Sequence, residues 1–172
     1  MSLKFKIKVP GTSANIGVGY DCLGVALDYY LEIEVTESET IEFVENGKEF
    51  SIPLDENLMF EAANFTQKKL NKTIPNYRVN IIRNDIPIAR GLGSSSSAIV
   101  AGIMIVNRFL NNKLDRDSIA KLAVEMEGHP DNVVPAIFGG MVLAAHDKEN
   151  LSYALLPNIE NLFFYVMIPN FR

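Results

Sequence analysis

Between residues 86 and 98 the chain reads IPIARGLGSSSSA, and in the stretch from Ala98 to Leu110 that follows, Arg108 is the only charged residue. A helix apolar on nearly every side has to sit inside the molecule, so the spacing predicts a buried central helix over about 95–111. The rest of the chain must wrap around it. Gly91 and Gly93 permit backbone conformations and close approaches that a side chain would block. Four serines, Ser94 to Ser97, stand where the helix begins. A glycine loop that opens a helix presents free N–H groups and the positive end of the helix dipole, which suits an anion. Serine hydroxyls can add hydrogen bonds to phosphate oxygens or a ligand for Mg²⁺. No Gly-Lys-Ser/Thr follows, so this is not a Walker A loop, and a serine run replaces the third glycine of a dinucleotide fingerprint. A plain serine-rich start to a helix after a turn is the alternative, and the loop alone leaves it open.

The elements around this helix can be read from period and punctuation. Residues 3–9 alternate apolar residues with lysine, which predicts a half-buried strand. A second strand is expected over 27–35. Segments 40–44 and 48–52 flank Asn46-Gly47, a strong hairpin signal. A helix follows over about 56–71, then a strand at 77–83. Asp115 or Asp117 can cap another helix that runs to Glu127, with Gly128 as its stop. A short helical turn is expected after Pro130, then a strand at 141–146 and an apparent break at 147–152. Strands and helices do not strictly alternate, so the class is α+β with a mixed sheet. The near-continuous apolar run 162–168 predicts a last strand, read as the first strand of a second domain. An edge strand on the same sheet is the alternative. The expected division is 1–152 and 153–172.

Two further loops carry polar side chains. The segment PGTSANIGVGYDCLG (10–24) crowds Thr12, Ser13, Asn15 and Asp21 among four glycines. A carboxylate and an amide on such a loop suit the ammonium or hydroxyl groups of a small polar substrate, although a turn without ligand is an equal reading. The segment MEGHPDNVVPAIFGG (126–140) places Glu127 at a helix C-terminus, where the dipole is already negative and a cation would offset the cost. His129, Asp131 and Asn132 follow around Pro130; a polar interhelical corner is the alternative. Three such loops in one chain point to a site more strongly than any one of them.

The totals narrow the chemistry. Sixteen basic and 21 acidic residues give a net charge of −5 with no long block of one sign, which argues against nucleic-acid binding and against a polybasic membrane contact. Any nucleotide site must then neutralise phosphates locally. Cys22 is the one cysteine, so no internal disulfide can form, and with two separated histidines a closed zinc site is disfavoured. No apolar run approaches the roughly 20 residues of a membrane span. A cytoplasmic location is expected.

With those segments in view, the chain resembles the superfamily of galactokinase, homoserine kinase, mevalonate kinase and phosphomevalonate kinase, the GHMP kinases. PGTSANIGVGYDCLG and EGHPDNVVPAIFGG are most similar to the homoserine kinase branch. The resemblance implies a GHMP-kinase N-terminal domain, like the second domain of ribosomal protein S5, followed by the first strand of a ferredoxin-like C-terminal domain. It implies transfer of the γ-phosphate of ATP to the side-chain hydroxyl of L-homoserine in threonine biosynthesis, with Mg²⁺. By position, Pro87, Arg90, Gly91, Leu92, Gly93, Ser94, Ser95, Ser96 and Ser97 would surround the nucleotide phosphates, and Asn57 would touch the adenine. Ser95 and Glu127 would hold the metal. Asn15, Asp21, His129 and Asn132 would contact the substrate, and Asn15, Asp21 and Asn132 would be the catalytic set. The resemblance also implies a homodimer. Ala89 stands where many members have glycine, a departure that homoserine-kinase-like sequences tolerate. The superfamily's third, C-terminal glycine-rich motif and the arginines for the substrate carboxylate are not found, so little or no activity is expected of this chain alone. Other GHMP kinases, such as a mevalonate-type enzyme, and a non-catalytic nucleotide-binding module are the competing expectations.

Overall fold

Ile7 and Val9 alternate with Lys6 and Lys8, and in the computed structural model, which describes residues 3–147, 150–157 and 163–168, this alternation is a strand with one buried and one wet side. That strand, β1 (Lys4–Ala14), runs antiparallel to the long β2 (Leu23–Glu37), with Ile7 opposite Ile33 and Val9 opposite Leu31. The ladder slips register between Pro10 and Thr12 and then continues, so Thr12 to Ala14 pair with Ala26 to Gly24. The first polar loop is therefore shorter than expected, confined to residues 15–22.

Along its other edge β2 takes two partners in turn. Leu23 to Val25 pair with β6 (Met141–His146), and Leu31 to Glu37 pair with β5 (Tyr77–Asn84). A parallel β3 (Glu42–Glu45) lies beside β5 and turns through Asn46 and Gly47, both at positive φ, into β4 (Lys48–Glu49). This is the hairpin that Asn-Gly predicts. A seventh strand, β7 (Leu151–Leu155), is antiparallel to β6 and was not expected. Its ring at Tyr153 packs on Phe138 with centroids 4.6 Å apart, and its hydroxyl donates to Asp117. That carboxylate pushes the Tyr153 phenol up to about 12. The sheet thus runs across the expected division at 152.

Among the described residues there are four α-helices, α1 (Leu58–Leu70), α2 (Ser94–Phe109), α3 (Arg116–Glu127) and α4 (Pro130–Phe138), of which α2 and α4 lie against the sheet. As its composition requires, α2 is central, touching the sheet at β1 and packing against α1, α3 and α4. At Gly102 the backbones of α1 and α2 come so close that a Cβ would lie 2.3 Å from the Met59 carbonyl oxygen. Asp115 caps α3 by accepting from the Ser118 amide at 2.8 Å, and the hydrogen bonds from Ser118 hold its carboxyl below the usual value. Gly128 ends the helix in the left-handed region, as expected.

After Pro130 the chain forms a nine-residue helix, not a short turn. Pro135 inside it has no N–H for the Asp131 carbonyl one turn earlier. That carbonyl instead lies against β2, where a Cβ on Gly24 would come within 1.7 Å of it. The strand expected at 162–168 is not formed at its described residues: 163–168 pair with no strand, and Phe163, Tyr165 and Met167 are largely exposed. An apolar run forms a strand only where it pairs with a neighbouring edge, and the described residues 163–168 pair with none. Leu162 lies outside the described residues.

Candidate active site

The glycine-serine loop and the third polar segment meet at the start of α2, beside Thr12 of β1. Gly91 and Gly93 adopt φ near +69°, and Gly93 is the N-cap of α2 with no side chain capping the helix. The loop is locked from below by β1: the Thr12 amide donates to the Leu92 carbonyl at 3.0 Å. Gly93 sits so tightly on Thr12 that a Cβ there would lie 2.1 Å from its hydroxyl oxygen. Ser97 lies fully buried, with its hydroxyl 3.0 Å from the Pro10 carbonyl and 2.7 Å from that of Gly93. It holds the loop rather than offering a hydroxyl to a ligand. Leu92 is buried too, its side chain belonging to the core.

Glu127 reaches this helix start from the C-terminus of α3. The Ser95 hydroxyl donates to Oε2 at 3.2 Å and the Ser96 hydroxyl to Oε1 at 3.0 Å. Two donors thus offset part of the cost of an anion at a helix C-terminus. Among the described residues no group of three or more His, Cys, Asp and Glu side chains could hold a metal. Any cation here would share Glu127 and a serine hydroxyl with the oxygens of its ligand.

Beside Ser94 and Ser95 opens a cavity of about 350 Å³, with apolar walls from Phe50, Ile52, Leu58, Met59, Ile86 and Ile88. Asn57 lies in that wall. Its side chain caps α1, Oδ1 accepting from the amides of Met59 at 3.0 Å and Phe60 at 3.3 Å. Only 5% of Asn57 is exposed, and its Nδ2 has no hydrogen-bond partner among the described residues. With the oxygen committed to the helix, only Nδ2 of the amide is left to form a hydrogen bond. Pro87 and Arg90 lie in the same loop, half-buried.

β1 and α4 are joined through Thr12. Its hydroxyl donates to Asn132 Oδ1 at 2.8 Å. Asn15 and Asp21 share one exposed turn in which both have positive φ, and the Asp21 amide donates to Asn15 Oδ1 at 2.8 Å. Asn15 keeps its Nδ2 donor and one lone pair of Oδ1 for a ligand. At the start of α4, His129 Nδ1 is 3.0 Å from Asp131 Oδ1, and Asn132 Nδ2 is 3.5 Å from the same oxygen. Thr12 and Asp131 were visible in the sequence as loop residues, but nothing in their spacing revealed that both are buried connectors of the site.

Known proteins are similar to this chain in sequence and in fold. Residues 57–140 match the GHMP kinases N terminal domain. Over 168 residues the chain is 46% identical to the homoserine kinase of Clostridium novyi, covering 97% of this chain and 56% of that protein. A solved structure from Listeria monocytogenes, assigned as a homoserine kinase, superposes with a TM-score of 0.77 at 33% identity, over 94% of this chain and 61% of that one. The mevalonate kinase of Methanococcus jannaschii shares the fold, with a TM-score of 0.67 at 24% identity, over 91% of this chain and 56% of that one. The chain spans little more than half the length of the curated relatives it matches. Fold and sequence agree in their likeness: the chain is similar to the GHMP kinases over their N-terminal domain, and among them to homoserine kinases.

Proposed function

We propose that this chain supplies the nucleotide-binding part of an ATP-dependent kinase that phosphorylates the side-chain hydroxyl of L-homoserine to O-phospho-L-homoserine, in threonine biosynthesis. The observation that carries the reading is the start of α2, where a helix without a side-chain cap opens from a positive-φ glycine loop beside an apolar cavity. Phosphates fit the helix end, and a purine fits the cavity with its one buried free donor, Asn57 Nδ2. The 46% identity to a homoserine kinase supports the choice of substrate.

In this reading Gly91 to Ser96 hold the triphosphate, with Pro87 and Arg90 alongside. Glu127 and Ser95 fit Mg²⁺, a hard cation that takes one or two carboxylates and leaves further positions to phosphate oxygens. When bound with the nucleotide, the ion neutralises charge on the phosphates. Asp21 holds the substrate ammonium, while Asn15, His129 and Asn132 fix the rest of the substrate. Phosphoryl transfer asks mainly for alignment and charge neutralisation, which these groups provide without a dedicated base. A cytoplasmic location and a homodimer belong to the same proposal, as does a division of the chain into two domains.

Equilibrium dialysis with Mg-ATP, run beside a panel of phosphate acceptors that includes L-homoserine and mevalonate, tests the reading. Mg-ATP binding is expected, together with selectivity for homoserine wherever turnover is seen. Failure to bind Mg-ATP would sink it, and turnover of mevalonate over homoserine would replace its substrate. Because the chain spans 56% of its relative, binding with no turnover fits both the kinase reading and a second one, a nucleotide-binding module, whereas turnover would remove the second.

A further inference from the structure

We propose that Asp131 is a positioning residue that fixes the neutral imidazole of His129 in its Nδ1–H tautomer, leaving Nε2 as a hydrogen-bond acceptor. The two side chains live in opposite environments. Asp131 is 1% exposed, whereas the His129 side chain is 48% exposed, so a buried carboxylate steers a ring that solvent and ligands can reach. Two side-chain nitrogens converge on one carboxylate oxygen, His129 Nδ1 at 3.0 Å and Asn132 Nδ2 at 3.5 Å. Asp131 also lies in the first turn of α4, where the helix dipole favours a negative charge. An ionised carboxylate only accepts hydrogen bonds, so the nitrogen facing it must carry the proton. The other ring nitrogen, Nε2, has no hydrogen-bond partner among the described residues. It is left with a lone pair.

The carboxylate cannot drift to suit the ring. Its backbone carbonyl is pressed on Gly24, and its neighbour Asn132 is anchored by the Thr12 hydroxyl. The chain Thr12, Asn132, Asp131, His129 thus runs from beneath the phosphate loop to the exposed ring. Its use rests on the kinase reading, in which His129 lines the substrate wall: there the ring offers an acceptor and meets a hydroxyl or ammonium, not a carboxylate. The tautomer itself can be read with no ligand present.

The test is long-range ¹H–¹⁵N correlation of the imidazoles at alkaline pH, where the two ring-nitrogen shifts themselves distinguish the Nδ1–H and Nε2–H tautomers. The chain has two histidines, His129 and His146, and His146→Gln assigns the signals. A single Nδ1–H form is expected for His129 in the wild-type chain, and Asp131→Ala should move it to the Nε2–H form that free side chains favour. Asp131→Asn, which keeps the volume should the alanine variant fail to fold, should give a mixture, because an amide can accept from Nδ1 or donate to it. An Nε2–H tautomer in the wild-type chain would overturn the proposal, as would an unchanged Nδ1–H form in the alanine variant. Failure of the wild-type chain to bind Mg-ATP would count against the kinase reading alone.

Discussion

The hydroxyl of Thr12 on β1 donates to Oδ1 of Asn132 on α4 at 2.8 Å, across 120 positions of sequence. That bond joins the floor of the phosphate loop to the proposed substrate wall, and Thr12 makes it while fully buried. Thr12→Val keeps the shape and removes the donor. A loss of about 1–3 kcal/mol in urea unfolding is expected, because the Asn132 oxygen is left without that donor. Thr12→Ser should recover most of it. An unchanged midpoint for the valine variant would show that the bond contributes nothing.

Gly91 and Gly93 share the same φ but not the same surroundings. A Cβ at Gly91 meets nothing within 4 Å, whereas one at Gly93 would lie 2.1 Å from the Thr12 hydroxyl oxygen. Gly91→Ala should therefore cost only the left-handed backbone strain, about 1 kcal/mol. Gly93→Ala adds a steric overlap and should cost about 3 kcal/mol. Equal midpoints in denaturant for the two variants would contradict this.

Asn57 does two jobs with the two ends of one amide. Asn57→Asp keeps an oxygen to cap α1 and removes the buried donor. Stability should hold, since both residues are good caps. Mg-ATP affinity, measured by calorimetry, should fall about tenfold, the worth of one hydrogen bond to the ligand. A stable variant with unchanged affinity would remove Asn57 from the nucleotide site.

Glu127→Gln keeps an acceptor for a serine hydroxyl but removes the charge. ATP affinity measured without Mg²⁺ should change little, while the increment that Mg²⁺ adds should drop by roughly tenfold or more. An increment as large as in the wild-type chain would place the metal elsewhere.

Tyr77 is buried in the core, and its hydroxyl has no partner among the described residues. Burial raises its phenol above the ordinary value of 10. Above pH about 10 the unfolded chain releases this proton while the folded chain keeps it. Stability is thus fully present below that pH and falls as pH rises towards the folded value. Tyr77→Phe should be neutral or more stable by about 1 kcal/mol at pH 7, and should lose less stability between pH 10 and 11. A wild-type and variant that decline in parallel would mean that Tyr77 does not carry the effect.

Local signals made much of this fold legible. The Lys-apolar alternation of β1, the Asn46-Gly47 hairpin, the nearly charge-free α2 and the Asp115 and Gly128 ends of α3 each state their structure within a few residues. β7 stayed hidden because its turn contains no glycine or proline: it closes through Asp147, whose side chain accepts from the Asn150 amide at 2.8 Å. α4 looked like a single turn because Pro135 interrupts its pattern, although the sheet at Gly24 supports the helix around it. Of the site, the residue types were visible in their loops. Their division of labour was not, because Ser97 turning inward and Thr12 reaching Asn132 are settled by contacts 87 and 120 positions apart.

The contact of Gly24 with the Asp131 carbonyl ties together positions that no local pattern connects. A larger residue at 24 would push α4 off the sheet and carry His129 and Asn132 with it. Replacing Pro135 by a residue with an N–H would let the helix reclaim the carbonyl that now lies on the strand. Sequence change at this seam has to be concerted. A designer recombining related chains should therefore move β2 and α4 as one block, since a crossover between them would separate a notch from the ridge that fills it.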